Sequence, residues 1–164
     1  MQLRAIDTAD WDAILEIQEE CYSMLEPEPL AVLQSKWQVS AQSCFVIEHK
    51  GDVVGYCLAH PWTAYTPPVL YQELKQLPEA DSLYLHDIAI SKRAQGLGAG
   101  SQSLKHLHTI AQRLGLSSLS LVAVQGADSY WQKMGFSRQN IAKSLTSYTD
   151  DACYMMAPIQ VTAE

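Results

Sequence analysis

The stretch Leu83–Ser101, LYLHDIAISKRAQGLGAGS, is the part of the chain from which the fold is read. Leu83–Ile90 has the apolar, β-branched character of a central strand. A basic, glycine-rich turn follows at once, and a helix follows the turn. A strand that runs through glycines into a helix gathers backbone N–H groups at the helix N-terminus, where the dipole also favours an anion. The segment therefore points to a ligand that carries a phosphate group. Its register excludes two common kinds. A triphosphate-binding loop needs GxxxxGK[ST], and here no lysine follows the glycines. A dinucleotide fold needs GxGxxG with an acidic residue about 20 positions later. Gly96-Leu97-Gly98-Ala99-Gly100-Ser101 lacks the third glycine in register and lies late in the chain.

Outward from this stretch the chain alternates strands and helices. Gln2–Ile6 reads as a short strand. Asp7-Thr8 offers an N-cap for a helix over about Ala9–Cys21, with Trp11, Ile14, Leu15 and Gln18 as its inner stripe. Glu26-Pro27-Glu28-Pro29 breaks the chain before a second helix that carries Leu30, Leu33 and Trp37. Cys44–Glu48 and Val53–Ala59 form a hairpin around Gly51. His60–Ser82 holds Pro61, Pro67, Pro68 and Pro78 among Trp62, Tyr65 and Tyr71, with a short helix expected near Val69–Gln76. An insertion of this length is more often a functional loop than an accident. Beyond the turn, Gly98–Leu114 is a helix with Leu104, Leu107, Ala111 and Leu114 inward, ended by Gly115. Ser118–Val124 is a strand, Ala127–Met134 a short helix, and Phe136–Gln139 and Cys153–Ala157 are final strands. The 164 residues read as one domain, 1–164.

Composition narrows the partners. Eleven Lys and Arg against 18 Asp and Glu give a net charge of −7. That sign disfavours nucleic acid and anionic membranes; it would attract cationic small molecules such as amines, although mild acidity that merely aids solubility is the plainer reading. Cys21, Cys44, Cys57 and Cys153 are scattered, without metal-ligand spacing, so no metal site is expected. Buried free thiols fit a reducing cytoplasm. The N-terminus lacks a signal-peptide pattern, and no apolar run approaches the roughly 20 residues of a membrane span.

Arg93-x-x-Gly96-x-Gly98 after an apolar strand resembles the acetyl-CoA motif of the GNAT superfamily of N-acetyltransferases. Tyr130-Trp131-Gln132-Lys133-Met134-Gly135-Phe136 resembles that family's aromatic-Tyr-x-Lys-Leu-Gly-Phe segment. The hairpin ending in Gly55-Tyr56-Cys57-Leu58 resembles its N-terminal half. The resemblance covers nearly the whole chain. It implies an α/β fold: a mixed, mostly antiparallel twisted sheet, flanked by about four helices, with two splayed central strands. It also implies acetyl-CoA as co-substrate, without a metal, and family members often form homodimers. The pyrophosphate of coenzyme A would lie on Arg93, Ala94, Gln95, Gly96, Leu97, Gly98, Ala99, Gly100 and Ser101. The backbone of Ile88, Ala89 and Ile90 would pair with the pantetheine arm like an added strand. Gln125 stands where the family often has Asn, and Trp131 where it has Tyr; both are expected at the cofactor.

Acetyl transfer to an amine needs a base for the ammonium proton and a donor for the departing thiolate. The segment Leu85-His86-Asp87-Ile88-Ala89-Ile90 resembles the central strand of aralkylamine acetyltransferases, which implies His86 as the base. A buried structural histidine is the plainer reading of the same residue. Strand alternation places Tyr84, His86, Ile88 and Ile90 on one face and Asp87 on the other, as a structural residue. The donor is open. Trp131 replaces the usual tyrosine, and indole is no acid. Tyr130 is the first candidate, although one helical step turns it about 100° away. Tyr84, Tyr148 or water are the others. His60 reads as a loop-edge residue, and His106 and His108 as solvated or packed on the cofactor helix. Glu26 and Glu28 read as a solvated turn or as a contact for a cationic tail, and Trp62 and Tyr65 as an aromatic wall or loop packing. The expected reaction is N-acetylation by direct attack in a ternary complex, with a small amine or polyamine as acceptor. A protein N-terminus as acceptor, or a non-catalytic acyl-CoA-binding module, are the alternatives.

Overall fold

The structure is a computed structural model that describes residues 1–22, 26–141, 145, 148 and 151–159. Seven strands form one sheet: β1 (Gln2–Ala5), β2 (Phe45–His49), β3 (Asp52–Trp62), β4 (Ser82–Ile90), β5 (Ser118–Ala123), β6 (Ser137–Arg138) and β7 (Cys153–Pro158). Their spatial order is β1-β2-β3-β4-β5-β7-β6. Every neighbouring pair is antiparallel except β4–β5. The parallel pair is the strand–turn–helix–strand unit of the sequence: α3 (Ala99–Arg113) is the crossover, as parallel pairing requires. The mixed, mostly antiparallel sheet of the sequence reading is therefore present.

The helices cover both faces. On one face α3 presents Leu104, Leu107, Ile110 and Ala111 to Leu83, Leu85, Leu119 and Leu121. On the other, α1 (Trp11–Cys21) presents Trp11, Ile14 and Ile17, and α2 (Leu30–Val39) presents Leu33, to Val46, Tyr56, Leu58 and Ala89. The α1 stripe is thus centred on Ile17 rather than Leu15, which packs only at its edge. In α2, Leu30 is exposed and Lys36 is buried instead. A fourth helix, α4 (Asp128–Lys133), leads into the short edge strand β6. Asp7 caps a 3-10 turn ahead of α1, and Arg4 braces it through Asp10 at 2.8 Å and Glu48 at 2.6 Å.

Two departures from the sequence reading bear on function. Strand β3 continues through His60 and Pro61 to Trp62, so His60 is a fully buried strand residue and not a loop edge. No helix forms over 69–76; the segment is irregular and lies against α2, with Lys36 Nζ donating to the Gln72 carbonyl at 2.7 Å and the Leu74 N–H donating to Ser35 Oγ.

The alternation of β4 breaks where β3 and β4 change register. Leu58 opposes Asp87, but the next residue, Ala59, opposes Leu85, so His86 is an extra residue on β4. Such a bulge turns consecutive side chains to one face and bends the strand. Leu83, Leu85, Ile88 and Ile90 face α3, whereas His86 and Asp87 both face α1 and α2. The expectation that Asp87 opposes His86, with His86 beside Ile88 and Ile90, is corrected by this one inserted position. Pairing with β5 ends at the same place: the last partners are Leu85 and Leu121, and His86–Ile90 have none in β5. The splayed central strands implied by the resemblance are thus a feature of this chain.

Leu107 is wholly buried between α3 and the sheet. The variant Leu107→Ala is expected to lose about 2–5 kcal/mol of unfolding free energy in chemical denaturation, because the rigid sheet beneath cannot collapse into the cavity.

Candidate active site

Two concavities meet at the bulge. The first is the cleft between the splayed strands, walled by Ile88 and Ile90 on one side and Val122 and Val124 on the other, with Tyr130 and Trp131 at its edge. Ile88 and Ile90 turn their carbonyls into this cleft, where the Tyr22 hydroxyl donates to Ile88 at 2.9 Å and the Cys21 thiol to Ile90 at 3.5 Å. The second is a chamber on the α1/α2 face, lined by Gln18, Glu26, Glu28, Leu70, Tyr71 and Tyr148. Tyr22, His86 and Asp87 line both.

At the mouth of the cleft the chain turns through Gly96 (φ +79°) and Gly98 (φ +74°) into α3. Both glycines occupy the left-handed region that side chains resist. Gly98 is the N-cap and supplies no side chain, and the first turn of α3 holds no acidic residue, so the positive helix end is unopposed. Ser91 caps the preceding 3-10 turn. The Arg93 guanidinium lies beside this turn, bonded to Ser91 Oγ and the Val53 carbonyl. Gly100 lies beneath Tyr130: a Cβ there would press on the Tyr130 hydroxyl. These residues fit a phosphate-bearing ligand with an extended arm: N–H donors at the turn, and an open strand edge leading inward.

The expected cofactor residues are therefore together. Arg93–Ser101 form the turn, Ile88–Ile90 and Gln125 line the cleft, and Trp131 packs partly buried beside Phe136. Gln125, at φ +56°, spans the cleft and donates from Nε2 to the Cys21 carbonyl. Tyr130 lies at the turn, with its hydroxyl over Gly100 and the ring 45% exposed, away from the chamber. Tyr84 and Tyr148 bond each other at 2.9 Å, and Tyr148 donates to the Pro68 carbonyl. His106 packs edge-on against Phe45.

The inner end of the site is polar and buried. His86 Nε2 contacts Glu28 Oε1 at 2.7 Å, with the His86 side chain at 0% exposure and Glu28 at 8%. A carboxylate can only accept here, so the His86 proton facing Glu28 is on Nε2, and in the neutral form of the ring the Nδ1 lone pair is the open one. Burial works against ionisation of Glu28, but the His86 ring and the Tyr71 N–H outweigh it and hold the carboxyl below its usual range. Tyr71 makes that bond from a left-handed backbone (φ +67°) and anchors its hydroxyl on the Glu26 carbonyl. Asp87 Oδ2 accepts from the Tyr56 hydroxyl at 2.6 Å. The Tyr22 hydroxyl lies close by, but its single proton is directed to Ile88, so Asp87 Oδ1 has no donor. Burial raises the Asp87 carboxyl from 3.8 to about 6, against the pull of Tyr56 and His86. Burial likewise lowers His60, behind His86, to about 3.

Asp87 and Tyr22 are the functional-site candidates that sequence reasoning passed over. Glu28, read there as a solvated turn or a contact for a cationic tail, is not solvated but buried against His86, and Asp87 was misplaced by strict alternation. Tyr22 follows the end of α1, where nothing in the sequence relates it to β4. Among the described residues, no group of three or more His, Cys, Asp or Glu could hold a metal ion, and no helix is long and apolar enough to cross a membrane.

The family model described as acetyltransferase (GNAT) family matches residues 11–136. The chain belongs to that family. It is an acyl-CoA-dependent N-acetyltransferase. A search of curated proteins finds no match. Among solved structures, this acetyltransferase is similar to Ard1 from Thermoplasma volcanium (16% identity, TM-score 0.74, 98% of each chain covered). It is also similar to the GNAT-like decarboxylase GphF in complex with isobutyryl-CoA (15%, 0.80, 98% of this chain and 100% of that one). A third is the ribosomal-protein-S18-alanine N-acetyltransferase from Escherichia coli (19%, 0.68, 99% and 96%). At these identities the likeness is one of fold.

The raised Asp87 carboxyl makes a prediction about stability. The folded protein holds the Asp87 proton more tightly than the unfolded chain. Its contribution is therefore full below pH 3.8 and is lost as pH rises through about 6. A shift of about 2 units corresponds to roughly 3 kcal/mol. Relative to wild type, Asp87→Asn is expected to gain on the order of 1–3 kcal/mol between pH 4 and pH 7 in paired denaturation curves. A difference that does not change with pH would remove Asp87 as a strained buried acid.

Proposed function

We propose that this acetyltransferase transfers the acetyl group to a small primary amine by direct attack in a ternary complex. The observation that carries this reading is the buried Glu28–His86 pair on the wall of a chamber that opens onto the cofactor cleft. Acetyl-CoA supplies an activated acyl group and a thiol leaving group. The turn at Arg93–Ser101 holds the phosphates, and the Ile88 and Ile90 carbonyls receive donors of the extended arm. His86 is the base: its Nδ1 takes a proton from the acceptor nitrogen while Glu28 stabilises the imidazolium that results.

Two tyrosines border the cleft, and their surroundings divide the remaining work. Tyr22 lines both cleft and chamber, which supports its hydroxyl as the donor to the departing sulfur. Tyr130 lines the cleft but not the chamber, and it closes over the phosphate turn. Tyr22 therefore replaces Tyr130 as the proposed proton donor, and Tyr130 serves to hold the cofactor.

A small acceptor is favoured over a protein N-terminus because the chamber is bridged. Tyr71 bonds Glu26 and Glu28, and the Tyr148 hydroxyl bonds the Pro68 carbonyl. A trailing peptide chain would have to break these bonds. The acidic lining of Glu26, Glu28 and Asp87 favours a cation, and Tyr71, Tyr148 and Leu70 give it an apolar wall. Four free cysteines suit a reducing compartment, so the cytoplasm is the proposed location.

Thiol release from acetyl-CoA, measured with 2-phenylethylamine, putrescine and a short unblocked peptide, tests the acceptor class. At least one small amine is expected to exceed the peptide tenfold in kcat/KM, and preference for the peptide would overturn the reading. In the same assay His86→Ala is expected to lose about 10²–10⁴-fold in kcat. Tyr22→Phe should lower kcat, whereas Tyr130→Phe should act mainly on the KM for acetyl-CoA. The reverse pattern would return the donor role to Tyr130.

A further inference from the structure

Where the chamber opens into the cleft, two buried polar atoms lack a hydrogen-bond partner: His86 Nδ1 and Asp87 Oδ1. They belong to successive residues that the β4 bulge turns to the same face. Each group is locked from its far side. Glu28 holds the imidazole through Nε2, and the Tyr56 hydroxyl holds the carboxylate through Oδ2. Leaving a buried acceptor unpaired costs on the order of 1–3 kcal/mol, and more for a charged group. A fold that leaves two such acceptors side by side, each braced by a dedicated partner, has shaped them to receive donors.

We propose that His86 Nδ1 and Asp87 Oδ1 together form the seat of the acceptor's amino group, with Asp87 as the substrate-binding carboxylate that selects a protonated primary amine. This rests on the small-amine reading above and specifies what the site recognises. A primary ammonium carries three N–H donors. Two satisfy the seat, and the third is directed away from it. His86 Nδ1 takes one of the seated protons, which frees the nitrogen lone pair. That pair forms the C–N bond to the acetyl carbon as the C–S bond breaks. As the amide forms, a second proton passes from the nitrogen to the Tyr22 oxygen, which delivers its own proton to the sulfur, so the products are an amide, a thiol and a proton on His86. An alcohol offers one donor for two acceptors and leaves one of them buried and unpaired. Rejection of that kind is far stronger than any based on size. Near neutral pH the Asp87 carboxyl is mostly ionised, which gives the incoming cation a charged partner in a buried site.

The experiment compares ligands and variants on the same protein. With coenzyme A present, wild type is titrated calorimetrically with 2-phenylethylamine and with 2-phenylethanol, which differ only in the donor group. The amine is expected to bind at least tenfold more tightly. Asp87→Asn should raise the KM for the amine at least tenfold, leave the KM for acetyl-CoA within twofold, and abolish the preference over the alcohol. Equal binding of amine and alcohol by wild type would overturn the seat, as would an unchanged amine KM in Asp87→Asn. The calorimetric comparison needs no variant to fold and no turnover. An inactive wild type that still prefers the ammonium supports the seat and removes only the proposed reaction. An active wild type without that preference removes the seat and leaves the reaction standing.

Discussion

The site depends on one interruption: β4 and β5 stop pairing after Leu85 and Leu121. Inside a sheet this is costly, because each unpaired backbone group must find another partner or be left buried and unsatisfied. The bulge at His86 bends β4 away and makes the divergence possible. The end of α1 then answers the exposed edge, with Tyr22 and Cys21 donating to the carbonyls of Ile88 and Ile90. The cleft is therefore lined by acceptors that already form hydrogen bonds of the kind an added strand would make. An extended ligand arm that exchanges with these side chains gains backbone pairing without reorganising the sheet.

The same bulge sets the electrostatics. By turning two consecutive residues inward, it buries a histidine and a carboxylate beside Glu28. Two carboxylates and one imidazole in a buried pocket are not a stabilising arrangement: the strain on Asp87 alone is of order 3 kcal/mol, against a typical total of 5–15. Removing one member of a buried pair is worse still, at about 3–5 kcal/mol, since it strands the other. The cluster thus carries a stability cost that ordinary core packing at this position would not. Costs of that kind persist where a bound partner repays them, which is why the inner end of the cleft reads as a reaction centre and not as a core defect.

What the sequence made legible follows from the range of the interactions involved. The strand–turn–helix of Leu83–Arg113 is specified locally by apolar patterning and by glycines at positive φ, so its elements and the phosphate turn were readable within a residue or two. The strands and helices were readable from the same patterning, and the mixed, mostly antiparallel sheet from the family resemblance; the order of the seven strands comes from the structure. The chamber was not readable, because it is built by contacts distant in sequence. His86 and Glu28 are 58 positions apart, and Tyr71 and Glu28 are 43 apart. The faces of His86 and Asp87 were misread because alternation is a rule of regular strands, and a single inserted residue reverses it. That bulge has no glycine or proline to announce it; it appears only when β3 is laid against β4. His60 was misassigned for a related reason. Pro61 suggested a break, yet the strand tolerates it.

The division of labour along β4 has a consequence for specificity. The strand begins in the core at Leu83, passes the bulge at His86–Asp87, and ends at the glycine turn. The side chains at the open strand edge and the glycine turn come from the α1 end and from Arg93–Ser101. Contacts that close the acceptor chamber come from the 63–81 insertion: Tyr71 on Glu26 and Glu28, and Pro68 on Tyr148. None of the chamber bonds touches Arg93–Ser101, so the insertion can change without disturbing the turn. The long proline- and aromatic-rich segment need not adopt regular structure to do this. Its backbone groups are met by side chains of α2 and by Asp81, whose carboxylate accepts from the Ala64 N–H. An irregular segment held in this way is a fixed wall. Its left-handed Tyr71 is sustained by the bond to Glu28, the same carboxylate that orients His86. The shape of the acceptor chamber and the tautomer of the base are thereby set by a single side chain.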